Sequence, residues 1–238
     1  MEETKPKNPP AFNVPAVLLA LVVLLLVIHG ITVLALDRDG RAMTLLLFAF
    51  IPGFYSAEAA DLFAPMSRYW TPVSYAFLHG DWTHVGINCA YLIAFGTPVA
   101  RRFGAIRFLT LMFAGALGGA AAHYFAHANA LVPMVGASAS VSAALGAAAR
   151  FALAPGVAPA RSVYRPALSL GASLANRGVM TFVVVWFALN WVFGSGIIAI
   201  PGNEAGIAWE AHVGGFLVGW LAFGLFDPIP RIPSVDED

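Results

Sequence analysis

Ser138 and His212 are the residues of this chain whose types and setting best suit chemistry, because each is a polar group inside an otherwise apolar stretch. Ser138 follows Gly136 in the small-residue segment 135–146, where Ser138, Ser142 and Gly146 recur every four residues. That spacing puts them on one narrow helix face, open to a neighbouring backbone. A helix starting there begins with a glycine and a hydroxyl, which suit unpaired backbone N–H groups. His212 shares a face with Gly215 and Gly219, a G-x-x-x-G strip along which two helices approach closely. If the two faces pack, an imidazole meets a hydroxyl near the ends of both helices, and that contact is the minimum activated nucleophile. The plainer alternative is a capped, small-faced membrane helix whose serine bonds its own backbone.

A second pair, His84 and Asn88, falls one turn apart on a single face. A polar group turned to hydrocarbon without a partner costs several kcal/mol, so both face the bundle interior or a wet cavity. An interhelical hydrogen bond that only fixes packing would meet the same requirement. His79, His29, His123 and His127 sit at interfaces or segment ends and need no chemical account. Glu210, two positions before His212, points about 200° away round the helix. No carboxylate is therefore placed as a third partner, and packing alone is expected to orient His212.

The elements that must position these residues are membrane helices. The chain has 238 residues, of which 59% are hydrophobic and 11% charged, far from the usual soluble balance. Net charge is zero and no basic run exceeds two residues, so nucleic acid is not expected as a partner. Cys89 is the single cysteine, which excludes an intrachain disulfide and a cysteine-based metal cluster. No metal site and no cofactor is read from the sequence.

Residues 1–10 read as a disordered tail, 11–227 as one helical membrane domain, and 228–238 as a second disordered tail. Six spans are expected, over 11–36, 75–100, 106–126, 137–153, 179–200 and 207–226, with 43–81 as one long, partly membrane-dipping loop running into the second span. Arg101, Arg102 and Arg107 lie between spans two and three, and Arg150, Arg161, Arg165 and Arg177 between four and five. The positive-inside rule makes both loops cytoplasmic, and with them both termini, so that Ser138 lies toward the outer face. Span five holds Phe182, Trp186, Phe187, Trp191 and Phe193, which read either as the side of a gate or as lipid-facing bulk.

These residues resemble a known family, the rhomboid intramembrane serine proteases. A Gly-x-Ser motif opens span four, an Ala-His-x-Gly-Gly motif lies in span six, and a His-x-x-x-Asn pair preceded by His79 lies in span two. The resemblance implies an all-α, six-transmembrane-helix bundle with a short serine helix at the bottom of a water-filled cavity open to the outside. It implies Ser138 as nucleophile, His212 as general base and acid, and His84, Asn88 and the Ser138 backbone N–H as oxyanion donors. Gly136, Gly215 and Gly219 would be structural, as would Arg68, which matches the arginine of the family's Trp-Arg loop. Two positions depart from the pattern. Ser67 stands where that loop has tryptophan, and Ala139 where the glycine follows the nucleophile, a methyl expected to narrow selectivity while activity survives.

The reading is therefore an intramembrane endopeptidase that cuts transmembrane protein substrates within the lipid bilayer, without a cofactor, placed in the inner (plasma) membrane of a bacterium. The oligomeric state has no signature here. The main alternative is a catalytically silent rhomboid-like protein that binds transmembrane helices for trafficking or quality control; such relatives lose the serine or the histidine, and this chain keeps both. A transporter or channel is disfavoured by the lack of an inverted repeat.

Overall fold

The computed structural model of the chain describes residues 14–55, 66–153, 163–195, 197 and 207–229, and their regular structure is helical. In chain order the helices are α1 (Ala16–Leu34), α2 (Arg38–Phe48), α3 (Thr71–Ser74), α4 (Trp82–Ala126), α5 (Ser138–Ala149), α6 (Leu170–Ala175), α7 (Arg177–Gly194), α8 (Trp209–Leu221) and α9 (Phe223–Phe226). Three of them, α1, α4 and α7, are long and apolar enough to cross a membrane. The outer surfaces of α1 and α7 carry exposed Leu19, Val23, Val27, Ile31, Val184, Val185 and Leu189, the pattern of helices solvated by lipid.

The 45 residues of α4 form two arms rather than one rod. Gly104 interrupts the helix at φ 75 and ψ 169, a backbone region closed to most side chains. A Cβ built on Gly96 would touch both Leu18 of α1 and Phe108 beyond the break. In an unbroken helix Gly96 and Phe108 would stand about 18 Å apart, so the chain reverses at Gly104. The arms 82–103 and 105–126 correspond to the expected second and third spans. The first begins later than expected, at Trp82 rather than residue 75, because Asp81 is extended and its carboxylate caps the helix by accepting from the His84 N–H at 2.8 Å.

Small residues let α5 sit between the second arm and α8. A Cβ on Gly115 or Gly119 would collide with Ala143 or Ala139, and one on Gly215 or Gly219 would enter the carbonyls of Ala139 and Ala143. Gly146 lies equally close to the Phe216 carbonyl. The glycine strip of α8 thus meets the Ala139–Ala143 line of α5, one residue round from the Ser138–Ser142 face. Every residue of α5 after Ser138 is buried. Leu18 and Leu25 of α1 complete the largest core cluster with Val85, Leu92, Val99 and Phe108.

Two arginines close the far end of α5. Arg102, its side chain inaccessible, pairs with Asp227 through Nε–Oδ1 and Nη2–Oδ2 bonds of 2.8 Å, and its Nη1 donates to the carbonyls of Val163 and Arg165. Arg150 donates from Nε and Nη2 to the Leu168 carbonyl and from Nη1 to that of Trp220. These residues count toward the positive-inside assignment in the sequence, yet here they are buried clamps joining α4, α5 and α8 to the segment before α6.

Other boundaries also shift. The fourth expected span shortens to α5, the fifth starts at Arg177 under an Asn176 cap, and the sixth breaks at Ala222 into α8 and α9. The expected loop over 43–81 is partly helical: Asp37 caps α2 by accepting from the Gly40 N–H. The tail 1–10, most of 228–238, Arg161 and the end of span five lie outside the described residues.

Candidate active site

The approach to Ser138 is held by backbone from two earlier segments. Phe50 and Met134 exchange N–H···O bonds of 3.1 and 2.8 Å in an antiparallel bridge, and the Gly53 N–H donates to the Ala130 carbonyl. Nearer the helix, the Gly136 N–H donates to the Tyr75 carbonyl at 3.0 Å and the Ala137 N–H to His79 Nε2 at 3.4 Å. Gly136 itself has φ 124, and a Cβ there would strike the His84 ring, so glycine is required on both counts. Contrary to the expected hydroxyl cap, Ala137 is the N-cap residue and no side chain caps α5. The Ser138 hydroxyl is engaged elsewhere.

That partner is His212, whose Nε2 lies 2.7 Å from Ser138 Oγ. The imidazole is not oriented by packing alone, as expected, because its Nδ1 lies 2.5 Å from Asn190 Oδ1 of α7. Asn190 is held in turn, with Nδ2 donating to the Trp186 carbonyl at 2.8 Å. Since that bond uses the amide nitrogen, Oδ1 is left to accept, so Nδ1 of His212 carries the proton and Nε2 presents its lone pair to the hydroxyl. Glu210 stays apart and bonds His127 at 3.1 Å.

Across from the pair, His84 and Asn88 face residue 136. The built Gly136 Cβ falls 2.6 Å from His84 Nε2 and 3.7 Å from Asn88 Nδ2. The Gly80 N–H approaches His84 Nδ1 at 3.5 Å, the long end of hydrogen bonding, which leaves Nε2 as the donor. Asn88 is buried, and its Nδ2 donates to no group among the described residues. Ser138, His212 and His84 each keep partial exposure. A hydroxyl bonded to an unprotonated imidazole nitrogen, with unspent N–H donors opposite, is the arrangement that acyl-transfer chemistry needs.

The model of the Rhomboid domain family matches residues 66–227, which include every one of these groups. This chain belongs to the rhomboid family. It is also similar to Rhomboid-like protein 16, chloroplastic, of Arabidopsis thaliana, at 38% identity over 69 residues, 29% of this chain and 21% of that protein. The match thus spans about a fifth of that relative's length.

Within this rhomboid the four residues singled out in the sequence as polar groups in apolar spans converge on the start of α5. Arg68 does not join them; its guanidinium lies over the Tyr69 ring and its carbonyl accepts from the Tyr55 hydroxyl. The Ala139 methyl is buried in the contact with Gly119, so the departure from the family glycine is absorbed between helices. Ser140 points away and donates to the Met112 carbonyl at 2.7 Å. Asn190 is the residue that sequence reasoning passed over. The signal was present, since an asparagine within an apolar helix carries the same cost in lipid as Asn88. The span-five aromatics divide: Trp186 and Phe187 pack on Phe216, whereas Trp191 is half exposed.

Proposed function

We propose that this rhomboid is an intramembrane serine endopeptidase that cuts transmembrane-helix substrates with a Ser138–His212 dyad. The observation that carries this reading is the 2.7 Å contact between Ser138 Oγ and His212 Nε2, with the tautomer set by Asn190. Ser138 Oγ attacks the scissile carbonyl carbon as His212 Nε2 takes the hydroxyl proton. His84 Nε2–H, Asn88 Nδ2–H and the Ser138 backbone N–H at the open start of α5 receive the negative charge that develops on the carbonyl oxygen. Collapse breaks the C–N bond, and the proton on Nε2 passes to the leaving amine. Water then attacks the acyl-enzyme, giving its proton to His212 and, after collapse, restoring the serine hydroxyl.

The substrate must expose a carbonyl that an intact helix keeps in its own hydrogen bonds, so a transmembrane segment that unwinds locally fits this site. We place its entry beside α7, of which only Val179 and Val183 are buried. Because α7 also carries Asn190, displacement of that helix would break the His212 bond and tie substrate entry to orientation of the base. We further place the chain in the inner membrane of a bacterium as six spans with both termini cytoplasmic, a topology supported by the arginine distribution and by the reversal at Gly104.

The test is cleavage of a panel of single-span membrane proteins by proteoliposomes of the wild type, Ser138→Ala, Ser140→Ala and Ser142→Ala. Cleavage is expected to vanish in Ser138→Ala alone. Cleavage that survives this substitution would overturn the Ser138–His212 dyad, and cleavage by no form of the protein would favour a helix-binding, catalytically silent rhomboid.

A further inference from the structure

His123, His127 and Glu210 bring three metal-ligating side chains together where α8 starts, although singly each reads as a segment-end residue. His123 and His127 follow each other by four residues at the C-terminal end of α4, and Glu210 lies in the first turn of α8, two residues before His212. His127 Nε2 is 3.1 Å from Glu210 Oε1, and His123 Nδ1 is 3.9 Å from Glu210 Oε2. One ligand atom from each residue lies within 4.8 Å of the other two.

The longer separation is informative. At 3.9 Å the His123 Nδ1 makes no hydrogen bond to the carboxylate, and it is a buried nitrogen without another partner. A tetrahedral zinc ion with bonds of about 2.0–2.1 Å holds adjacent ligand atoms roughly 3.3 Å apart. The His127–Glu210 distance of 3.1 Å is already near that spacing, and the His123–Glu210 distance of 3.9 Å exceeds it by roughly 0.6 Å. The backbones that present them are already fixed, because a Cβ on Gly214 would collide with the Gly118 carbonyl and with Ala122. The His127 side chain is 44% exposed, which leaves a path for an ion and a fourth position for water.

We propose that His123, His127 and Glu210 bind a zinc-class divalent cation that ties the end of α4 to the first turn of α8. Two imidazoles and one carboxylate favour zinc and its late-transition-metal neighbours over magnesium or calcium, which take oxygen ligands. A cation bound there stabilises the folded bundle by mass action and braces the turn that carries His212.

The experiment uses tag-free, chelator-stripped, full-length protein in detergent, titrated with Zn2+ against a competing chromophoric chelator and, separately, with Co2+ followed by visible absorption. One equivalent of Zn2+ is expected to bind, with a raised unfolding temperature and an intense Co2+ spectrum of tetrahedral type. His127→Gln and Glu210→Gln should each weaken Zn2+ binding at least tenfold. Both are mild changes at partly exposed side chains, and their metal-free unfolding temperatures, compared with the wild type, report whether they fold. Absence of a saturable equivalent, or folded variants that bind Zn2+ as tightly as the wild type, would overturn the proposal.

Discussion

At the Arg150 end of α5, all three guanidinium nitrogens of Arg150 donate to carbonyls, and all three of neighbouring Arg102 donate to Asp227 or to carbonyls. At the Ser138 end the helix starts without a side-chain cap, and the buried Asn88 amide has no acceptor among the described residues. The two ends are about 18 Å apart on a helix of twelve residues. A buried donor without a partner costs about 1–3 kcal/mol, so the open end lowers stability and the closed end supports it. The contrast separates an end where folding spends its donors from one where it leaves them unspent, beside a glycine-packed core that holds them still, as the proposed chemistry requires.

The largest effect is expected where the closed end is broken. Arg102→Ala leaves the nearly inaccessible Asp227 carboxylate without its partner and should cost about 3–5 kcal/mol. Reversible unfolding in mixed detergent micelles would show it as a lower midpoint, while molecules that remain folded cleave at the normal rate. An unchanged midpoint would remove the contrast between the ends. At the open end the pattern should invert. Asn88→Ala discards an unsatisfied buried amide, so stability should hold or rise, while turnover falls roughly tenfold to a thousandfold, the range for losing an oxyanion donor. A variant that unfolds easily but cleaves fully where folded would make Asn88 a packing residue.

A smaller effect sharpens the comparison at its edge, on α7, which buries only Val179 and Val183. Asn190→Ala frees the His212 ring to turn and should lower kcat by about tenfold, less than the hundredfold or more that a general base itself supplies. KM should stay near the wild-type value, because Asn190 bonds the base rather than the substrate. A change confined to KM would instead make Asn190 part of the substrate path.

The grouping of the candidate site was largely legible in the sequence because polar residues in apolar spans have few reasons to exist. Ser138, His212, His84 and Asn88 each carried that cost, and the glycine strip at 215 and 219 pointed to the packing that brings Ser138 and His212 together. Asn190 carried it too, but was lost among the aromatic residues of its span. Other features depend on contacts remote in sequence. The Arg102–Asp227 pair spans 125 positions, and a charge count along loops sees the arginine only as a topology signal. Helix starts were misplaced where local caps outweighed hydropathy: Asp81 begins α4 late, and Asp37 begins a helix in a stretch that reads as loop.

We infer that folding activates Ser138 and no other serine. The most direct measurement of this is reaction of the detergent-solubilised protein with a serine-directed fluorophosphonate, followed by peptide mass spectrometry to locate the adduct. The geometry predicts one adduct per chain, on Ser138, absent from His212→Ala and retained in Ser140→Ala and Ser142→Ala. An adduct on another residue, labelling that persists in His212→Ala, or no adduct in a protein shown to be folded would contradict it.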